Sequence, residues 1–239
     1  MSNLNISLKD TSLIIATYNE EESLPFVLNE IKEYDFGEVI IVDGHSTDNT
    51  KKIAKEYGAT FIQQDEKGWG SAVLQGISVS THEYITYMDG DGSYNPTAIL
   101  EMKSLIQNYD AIFSSWYKDG AKSPDDTFIR AIGNQLFTFL VRILFKCRIS
   151  DALFFYPLFR REILENVELK STDFTLCLEL PALVHLNKLK YMEILSLERE
   201  RFAGVTKVNA FYDGLKILKG MLNLRLRAWS YILVQVVDI

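Results

Sequence analysis

The chain contains the stretch Tyr84-Ile85-Thr86-Tyr87-Met88-Asp89-Gly90-Asp91-Gly92-Ser93, in which a short apolar run leads directly into two aspartates separated by one glycine. The apolar run is typical of a buried strand, and the glycines permit a tight loop after it. Two carboxylates one residue apart offer hard oxygen ligands to one divalent cation. Asp and Gly are also ordinary turn residues, so the stretch alone is equally compatible with a polar turn. The rest of the chain must therefore decide between a turn and a metal site.

Around this stretch, short apolar runs alternate with helical patterns. Strands are predicted at residues 13–16, 39–42, 59–63, 84–88 and 111–115, and helices at 21–34, 70–79 and 98–108, with another helix between Asp48 and Gly58. Strands and helices that alternate with short loops predict a mainly parallel sheet covered by helices on both faces. The fold class is therefore α/β.

Length and composition agree with this class. The chain has 239 residues, 47% of them hydrophobic, which is enough for one large α/β domain. No apolar stretch approaches the roughly 18 residues of a membrane span, and the first ten residues lack the apolar core of a signal peptide. We therefore expect a cytoplasmic protein whose two cysteines, Cys147 and Cys177, are reduced core thiols.

Polar residues follow each of the first four predicted strands. They are Thr17, Tyr18 and Glu20 after the first strand, Asp43 after the second, Lys67 and Gly70 after the third, and Asp89 and Asp91 after the fourth. Ligands of open parallel sheets bind beyond the carboxyl ends of the strands, so these residues are expected to lie on one rim. The first loop lacks the glycine-rich turn of dinucleotide-binding oxidoreductases, and its acids would oppose a pyrophosphate there. That class of enzyme is excluded.

Four motifs in this order identify a family resemblance. They are Ala16-Thr17-Tyr18-Asn19-Glu20, Val42-Asp43-Gly44-His45-Ser46-Thr47-Asp48, Gly68-Trp69-Gly70-Ser71-Ala72 and Met88-Asp89-Gly90-Asp91-Gly92. The chain resembles the family-2 inverting glycosyltransferases of GT-A fold, and within them the dolichol- or polyprenol-phosphate mannose synthase-like branch. Later support comes from Arg130 with Gly133-Asn134, Asp151, Phe159-Arg160-Arg161-Glu162 and the run from Arg201 to Lys207. The chain departs from the usual family residues at Ala16, Gly44, Ser93, Phe155 and Pro157.

The resemblance implies roles for individual residues. Nucleotide-sugar binding would fall to Thr17, Tyr18, Glu20, Asp43, Lys67, Gly70 and Asp89, with uridine and guanosine donors both open. Asp89 and Asp91 would hold Mg²⁺ or Mn²⁺ against the donor diphosphate. Arg130, Arg201 and Lys207 would bind the acceptor phosphate, and Asp91 and Arg201 would be catalytic.

Three functional hypotheses remain open at this point. The first is sugar transfer to a polyprenyl phosphate, dolichyl or undecaprenyl, whose phosphate oxygen needs no general base. The second is transfer to a glycan or soluble hydroxyl, which needs a base, for which Glu179 on a predicted helix 174–186 is the candidate. The third is a nucleotide-sugar-binding module without catalysis.

Charge separates the chain into parts. Residues 1–120 have an excess of acids and no arginine, whereas residues 121–239 have an excess of basic residues within a net charge of −7. We interpret residues 1–120 as the nucleotide-sugar-binding half of a GT-A domain, residues 121–210 as its acceptor-binding half, and residues 211–239 as a C-terminal amphipathic helical segment. The cationic part favours phosphate or an anionic membrane surface, either as peripheral attachment at the cytosolic face or as an ordinary basic helix surface. The acidic half argues against nucleic-acid binding.

Overall fold

The computed structural model describes residues 6–117, 128–154, 156–196, 199–204 and 210–237. Within these ranges the side chains of residues 128–131, 210 and 229–237 are left undescribed.

The described residues form a seven-stranded mixed sheet. Its strands are β1 (Thr11–Thr17), β2 (Glu38–Asp43), β3 (Thr60–Gln63), β4 (Tyr84–Asp89), β5 (Ala111–Ser115), β6 (Pro157–Arg160) and β7 (Tyr191–Leu195). The spatial order is β3-β2-β1-β4-β6-β5-β7, and β6 runs antiparallel to both of its neighbours. The predicted mainly parallel sheet is confirmed.

Helices cover both faces of the sheet. They are α1 (Leu24–Ile31), α2 (Thr50–Glu56), α3 (Trp69–Val79), α4 (Ala98–Leu105), α5 (Phe128–Phe145), α6 (Leu176–Leu186) and α7 (Ala210–Val237). Apolar side chains of α1, α2 and α4 pack into the core on one face, and those of α3, α5, α6 and α7 into the core on the other. The central strands are buried on both sides, which explains why β1 and β4 read as nearly continuous apolar runs.

Helices α1 and α6 begin later than predicted. The first helix begins at Leu24 instead of residue 21, because the preceding residues form a turn in which the Ser23 hydroxyl donates to the Glu20 carboxylate at 2.6 Å. Helix α6 begins at Leu176 instead of residue 174. Helix α5 ends at Phe145, and Lys146 after it adopts the left-handed conformation at φ 57°.

None of the described helices combines enough length with enough apolar character to cross a bilayer.

Candidate active site

A cavity of about 590 Å³ opens at the carboxyl ends of the central strands. It lies where the chain order of the strands reverses, between β1 and β4, which is the usual ligand position in such sheets. Its walls are formed by residues 16–18, Glu20, Gly44, His45, Gln64, residues 67–69, Ala72, residues 89–91, Phe174 and Arg201. The loops after β1, β2, β3 and β4 therefore meet on one rim, as predicted.

The loop after β4 presents two carboxylates to this cavity. Asp91 is buried, and its Oδ1 accepts hydrogen bonds from the backbone N–H and the hydroxyl of Ser93 at 2.9 and 2.7 Å. Asp89 accepts a hydrogen bond of 2.5 Å from the indole N–H of Trp69. Burial and the nearby charge of Asp91 raise the pKa of the Asp89 carboxyl above its usual range. The two acids are therefore close enough for the charge of Asp91 to oppose ionisation of Asp89.

Arg201 reaches Asp91 and Glu20 from a distant part of the chain. Its guanidinium lies 2.8 Å from Asp91 Oδ2 and 3.7 Å from Glu20 Oε1. Both carboxylates are largely buried, so this cation offsets charge that solvent does not screen well.

Backbone contacts hold the segment around Arg201 against the loop after β4. The N–H of Arg199 donates to the Ser93 carbonyl at 2.9 Å, and the N–H of Phe202 donates to the Asp91 carbonyl at 3.0 Å. The Phe202 ring stacks on Phe26 with 4.4 Å between centroids. Gly92 has φ 83°, and a Cβ there would come within 2.9 Å of Phe202. A glycine is therefore required for this close approach.

Hydrogen bonds of Asp43 join the loops after β1 and β2 behind the cavity wall. Asp43 is fully buried and accepts hydrogen bonds from the Thr17 hydroxyl at 3.1 Å and from the N–H and hydroxyl of Ser46. Asp43 thus orients Thr17 and the turn after β2 and does not itself line the cavity. The Tyr18 ring, about half exposed, stands at the mouth.

The loop after β3 and the start of α3 pack on residues 171–173. A Cβ on Gly68 would lie 2.2 Å from the Thr172 carbonyl oxygen, and one on Gly70 would lie 2.5 Å from the Ser171 carbonyl oxygen. Gly70 is thus a close-packing position and is not among the cavity-lining residues, and its contact with the nucleotide-sugar stays a prediction. Lys67, by comparison, lines the cavity with an exposed side chain.

The structure does not bring Glu179 to this site. Its side chain is completely buried, and its carboxylate accepts hydrogen bonds from the N–H groups of Lys170 and Ser171 at 3.1 and 2.7 Å and from the Arg227 guanidinium. An anion whose oxygens are occupied in this way beneath α7 cannot reach an acceptor hydroxyl in the cavity. The general-base prediction for Glu179 is therefore corrected to a structural role.

Two predicted phosphate-binding residues cannot be placed. Arg130 belongs to α5, but its side chain lies outside the description, and Lys207 lies outside the described residues altogether. Their roles stay predictions.

Sequence reasoning missed several cavity-lining residues. Gln64 and His45 sit at the ends of β3 and β2, and the Gln64 amide donates to the Gly68 carbonyl at 2.6 Å, while Phe174 stacks on Trp69 at 5.7 Å. The available signal was position in the sequence, since Gln64 directly follows the predicted strand 59–63 and His45 lies three residues after the predicted strand 39–42. No sequence signal indicated Phe174, because its contact with Trp69 joins residues far apart in the chain.

Asp89 and Asp91 are the candidate ligands for a divalent cation. Within the described ranges no group of three or more His, Cys, Asp or Glu side chains could enclose a metal. Asp89 and Asp91 nevertheless supply hard oxygens at an open cavity wall, and Mg²⁺ is commonly held by one or two carboxylates together with substrate phosphates. The residues present therefore fit a cation that completes its coordination with a bound diphosphate.

Comparison with known proteins was made on sequence and on fold. The family model described as Glycosyl transferase family 2 matches residues 12–168. A dolichyl-phosphate hexose transferase of Haloferax volcanii is 29% identical over 217 residues, which cover 90% of this chain and 93% of that protein. A dolichol-phosphate mannosyltransferase of Pyrococcus furiosus is 31% identical over 71% of this chain.

Coverage of the relatives varies. The chain spans 51% of the length of the Pyrococcus protein and 54% of Glycosyltransferase AglJ of Haloferax volcanii.

Among solved structures, the fold resembles glucosyl-3-phosphoglycerate synthase from Mycobacterium tuberculosis in complex with Mn²⁺, uridine diphosphate and phosphoglyceric acid. The TM-score is 0.72 at 14% identity, over 90% of this chain and 78% of that one. The same enzyme with uridine diphosphate alone gives TM-score 0.70. These likenesses confirm the predicted GT-A fold.

Proposed function

The chain belongs to glycosyl transferase family 2, and on that premise we propose that it transfers a hexose from a nucleotide-sugar to a polyprenyl phosphate, with metal dependence and inversion at the sugar. Membership of this family makes the protein a glycosyltransferase. The nearly full-length similarity to a dolichyl-phosphate hexose transferase supports the lipid-phosphate acceptor.

One observation carries the proposal. Arg201 from the end of the domain and the Asp89–Asp91 pair after β4 share one wall of the cavity, with Arg201 in contact with Asp91. A cation and a pair of acids side by side suit a diphosphate whose charge is shared between a metal ion and a guanidinium.

The nucleotide-sugar would lie along the rim between the loops that follow β1 and β4. Tyr18 offers an aromatic face to a base, and Glu20 can accept hydrogen bonds from base N–H or ribose hydroxyl groups. Thr17, oriented by Asp43, lies at the same wall, and the Lys67 ammonium adds positive charge near the mouth. When bound by Asp89 and Asp91, Mg²⁺ or Mn²⁺ would neutralise charge that develops on the diphosphate leaving group.

The acceptor would approach from the side of Arg201. A phosphate monoester has a second pKa of about 6, so its attacking oxygen is anionic near neutral pH and needs no general base. Arg201, with Arg130 and Lys207 as further proposed phosphate ligands, would orient that oxygen towards the anomeric carbon. Positioning and charge neutralisation then provide the rate increase.

Transfer to a hydroxyl acceptor has less support. It requires a base within hydrogen-bonding reach of the acceptor, and the residue predicted for that role, Glu179, lies buried under α7. No specific observation favours this alternative.

The proposal is tested by incubating the full chain with Mg²⁺ or Mn²⁺, a panel of uridine- and guanosine-diphosphate sugars and a short-chain polyprenyl phosphate. Release of nucleoside diphosphate is expected for at least one donor and only when the lipid phosphate is present. Nucleotide binding without release for any acceptor would instead identify a binding module. Release of nucleoside diphosphate that requires a sugar hydroxyl and is independent of the lipid phosphate would overturn the acceptor assignment.

A further inference from the structure

Helix α5 carries an apolar stripe on the side opposite its core contacts. Thr138, Val141 and Phe145 face inward and are buried. The outward stripe consists of Ile132, Leu136, Phe139 and Ile143, each more than half exposed. A helix on the surface of a globular protein normally carries polar residues on that side. Single exposed apolar residues are common, but four in register along one helix face are not.

Helix α7 repeats this arrangement. Ile217, Met221, Leu224 and Ala228 are buried against the core. The outward positions, two residues before Ile217, Leu224 and Ala228, are again apolar. They are Leu215, Leu222 and Leu226, each more than half exposed. Phe211, also exposed, continues this stripe towards the start of the helix.

The two stripes lie on the same side of the molecule. The inward residues of both helices belong to one hydrophobic core, and the Phe137 ring of α5 lies against Gly214 of α7. Because the helices are neighbours on that core, both outward stripes point away from it. Together the two stripes are called the outer face.

Basic side chains border the outer face. Lys146 directly follows the last residue of α5, three residues after Ile143, and Lys219 lies one helical turn from both Leu215 and Leu222. Both lysines are exposed, as are Arg142, Arg148 and Lys216. The sequences of α5 and α7 contain a single acid, Asp213, which pairs with Lys216 at 3.5 Å. The border is therefore strongly cationic.

We propose that the outer face docks on an anionic phospholipid bilayer, with the apolar stripes of α5 and α7 in the interface and the bordering basic side chains on the lipid headgroups. Apolar side chains flanked by Lys and Arg match a membrane interface, where the acyl boundary takes the first and anionic headgroups take the second. A second copy of the chain fits less well, since two outer faces brought together would oppose like charges. The inference does not depend on the reaction or its acceptor.

The test is cosedimentation of the full chain, without substrates, with vesicles of equal parts phosphatidylcholine and phosphatidylglycerol, compared with phosphatidylcholine alone. We expect binding to the anionic vesicles that weakens as salt is raised. No binding at low salt would overturn the proposal, as would equal binding to both vesicle types.

Two variants examine the parts of the surface separately. Phe139→Glu with Leu222→Glu places charge on the stripes, and Lys146→Glu with Lys219→Glu reverses charge at the border. Each pair should lower the partition coefficient on anionic vesicles by at least about tenfold. The matched control is Val79→Glu, an equally drastic change at an exposed apolar residue at the end of α3, and it should bind as the wild type does.

Sedimentation velocity of the same proteins completes the experiment. A wild-type monomer, with the thermal unfolding of both variant pairs unchanged, is expected. A wild-type dimer that becomes a monomer in Phe139→Glu with Leu222→Glu would overturn the proposal and identify the outer face as a contact between copies. Vesicle binding that is unchanged in either variant pair would overturn it as well.

Discussion

Arg201 connects three parts of the site at the scale of single residues. Its guanidinium contacts Asp91 and Glu20, and its backbone neighbours are hydrogen-bonded to the loop after β4. A planar guanidinium can contact two oxygens at once, whereas the ammonium of lysine is a single point charge.

Replacing Arg201 with Lys is therefore expected to keep the fold but to lower kcat/KM by about 100-fold, because the geometry around the diphosphate depends on the forked donor. Nucleoside diphosphate release at limiting donor concentration measures the loss.

Arg199 provides a control two residues away. It pairs with both carboxylate oxygens of Glu30 at 2.7 and 2.8 Å and does not line the cavity. Arg199→Lys should cost about 1 kcal/mol in unfolding free energy and leave kcat/KM within a few-fold of the wild type. Equal kinetic losses in both variants would show that Arg201 acts only through the packing of this segment.

Single residues also show how far sequence reasoning reaches. Asp89 and Asp91 could be assigned to the rim because they follow a predicted strand directly. Gly70 stays a predicted nucleotide-sugar contact, and in the structure its lack of a side chain permits the close approach of the Ser171 carbonyl. The prediction of Glu179 as a base is wrong, because its carboxylate binds Arg227 from α7. Arg227 lies 48 residues further along the chain, and local sequence patterns do not reveal such a partner.

At the scale of secondary-structure elements, Glu179 joins α6 to α7 and to the segment before α6. Its carboxylate is bound by Lys170 N–H, Ser171 N–H and Arg227. Removal of its charge leaves Arg227 without this anionic partner.

We expect Glu179→Gln to lower the free energy of unfolding by about 1–3 kcal/mol, measured by urea denaturation. Turnover per folded molecule should stay within a few-fold of the wild type, since the lipid phosphate needs no base. Glu165→Gln, at an exposed position, is the control and should change stability by less than about 0.5 kcal/mol. Abolished turnover in a stably folded Glu179→Gln protein would favour the hydroxyl-acceptor hypothesis.

Glu38, at the start of β2, accepts hydrogen bonds from the start of β1 and from the segment before β4. Burial opposes ionisation of its carboxyl, but hydrogen bonds from the Ser12 hydroxyl, the Thr81 N–H and the His82 ring outweigh burial and lower its pKa from 4.5 to about 2.

Because the pKa is lower in the folded protein than in the unfolded chain, Glu38 stabilises the fold above about pH 4.5, and this contribution is lost as the pH falls towards about 2. After allowance for solvent screening, we expect a contribution of about 1 kcal/mol. Urea unfolding across this window should show a smaller decrease for Glu38→Gln than for the wild type. Parallel curves for the two proteins would contradict the assigned contacts.

The elements themselves were predicted unevenly. Strands β1, β2 and β4 follow from nearly continuous apolar runs, because buried parallel strands are apolar on both faces. Strands β3 and β5 follow from shorter apolar runs between the helical patterns. Strand β6 has only four residues and begins with Pro157, and it enters the sheet between β4 and β5 after a long excursion of the chain. Its pairing depends on tertiary contacts, so neither it nor β7 was found from the sequence.

On the scale of the whole molecule, one continuous sheet carries residues from both sides of position 120. Strands β6 and β7 follow β5 in sequence, yet β6 lies between β4 and β5 in the sheet. The segment containing Arg201 returns to the rim formed by the first four strands. The acidic first part and the basic second part of the chain are thereby brought together at one cavity, which is the arrangement expected when a metal-bound donor meets a phosphate acceptor.

The central claim is metal-dependent transfer of a sugar to a lipid phosphate through the Asp89–Asp91 pair. It is tested most directly by incubating the protein with a radiolabelled nucleotide-sugar, identified from the donor panel, together with a polyprenyl phosphate, and counting label in the organic phase. The Asp91→Asn variant and the exposed control Glu66→Gln are measured alongside.

We predict that the wild type and Glu66→Gln move label into the lipid phase only when Mg²⁺ or Mn²⁺ is present. Asp91→Asn, although folded, should lose at least about 100-fold of this activity. Label that stays in the aqueous phase with every lipid phosphate, or full transfer by Asp91→Asn, would contradict the account.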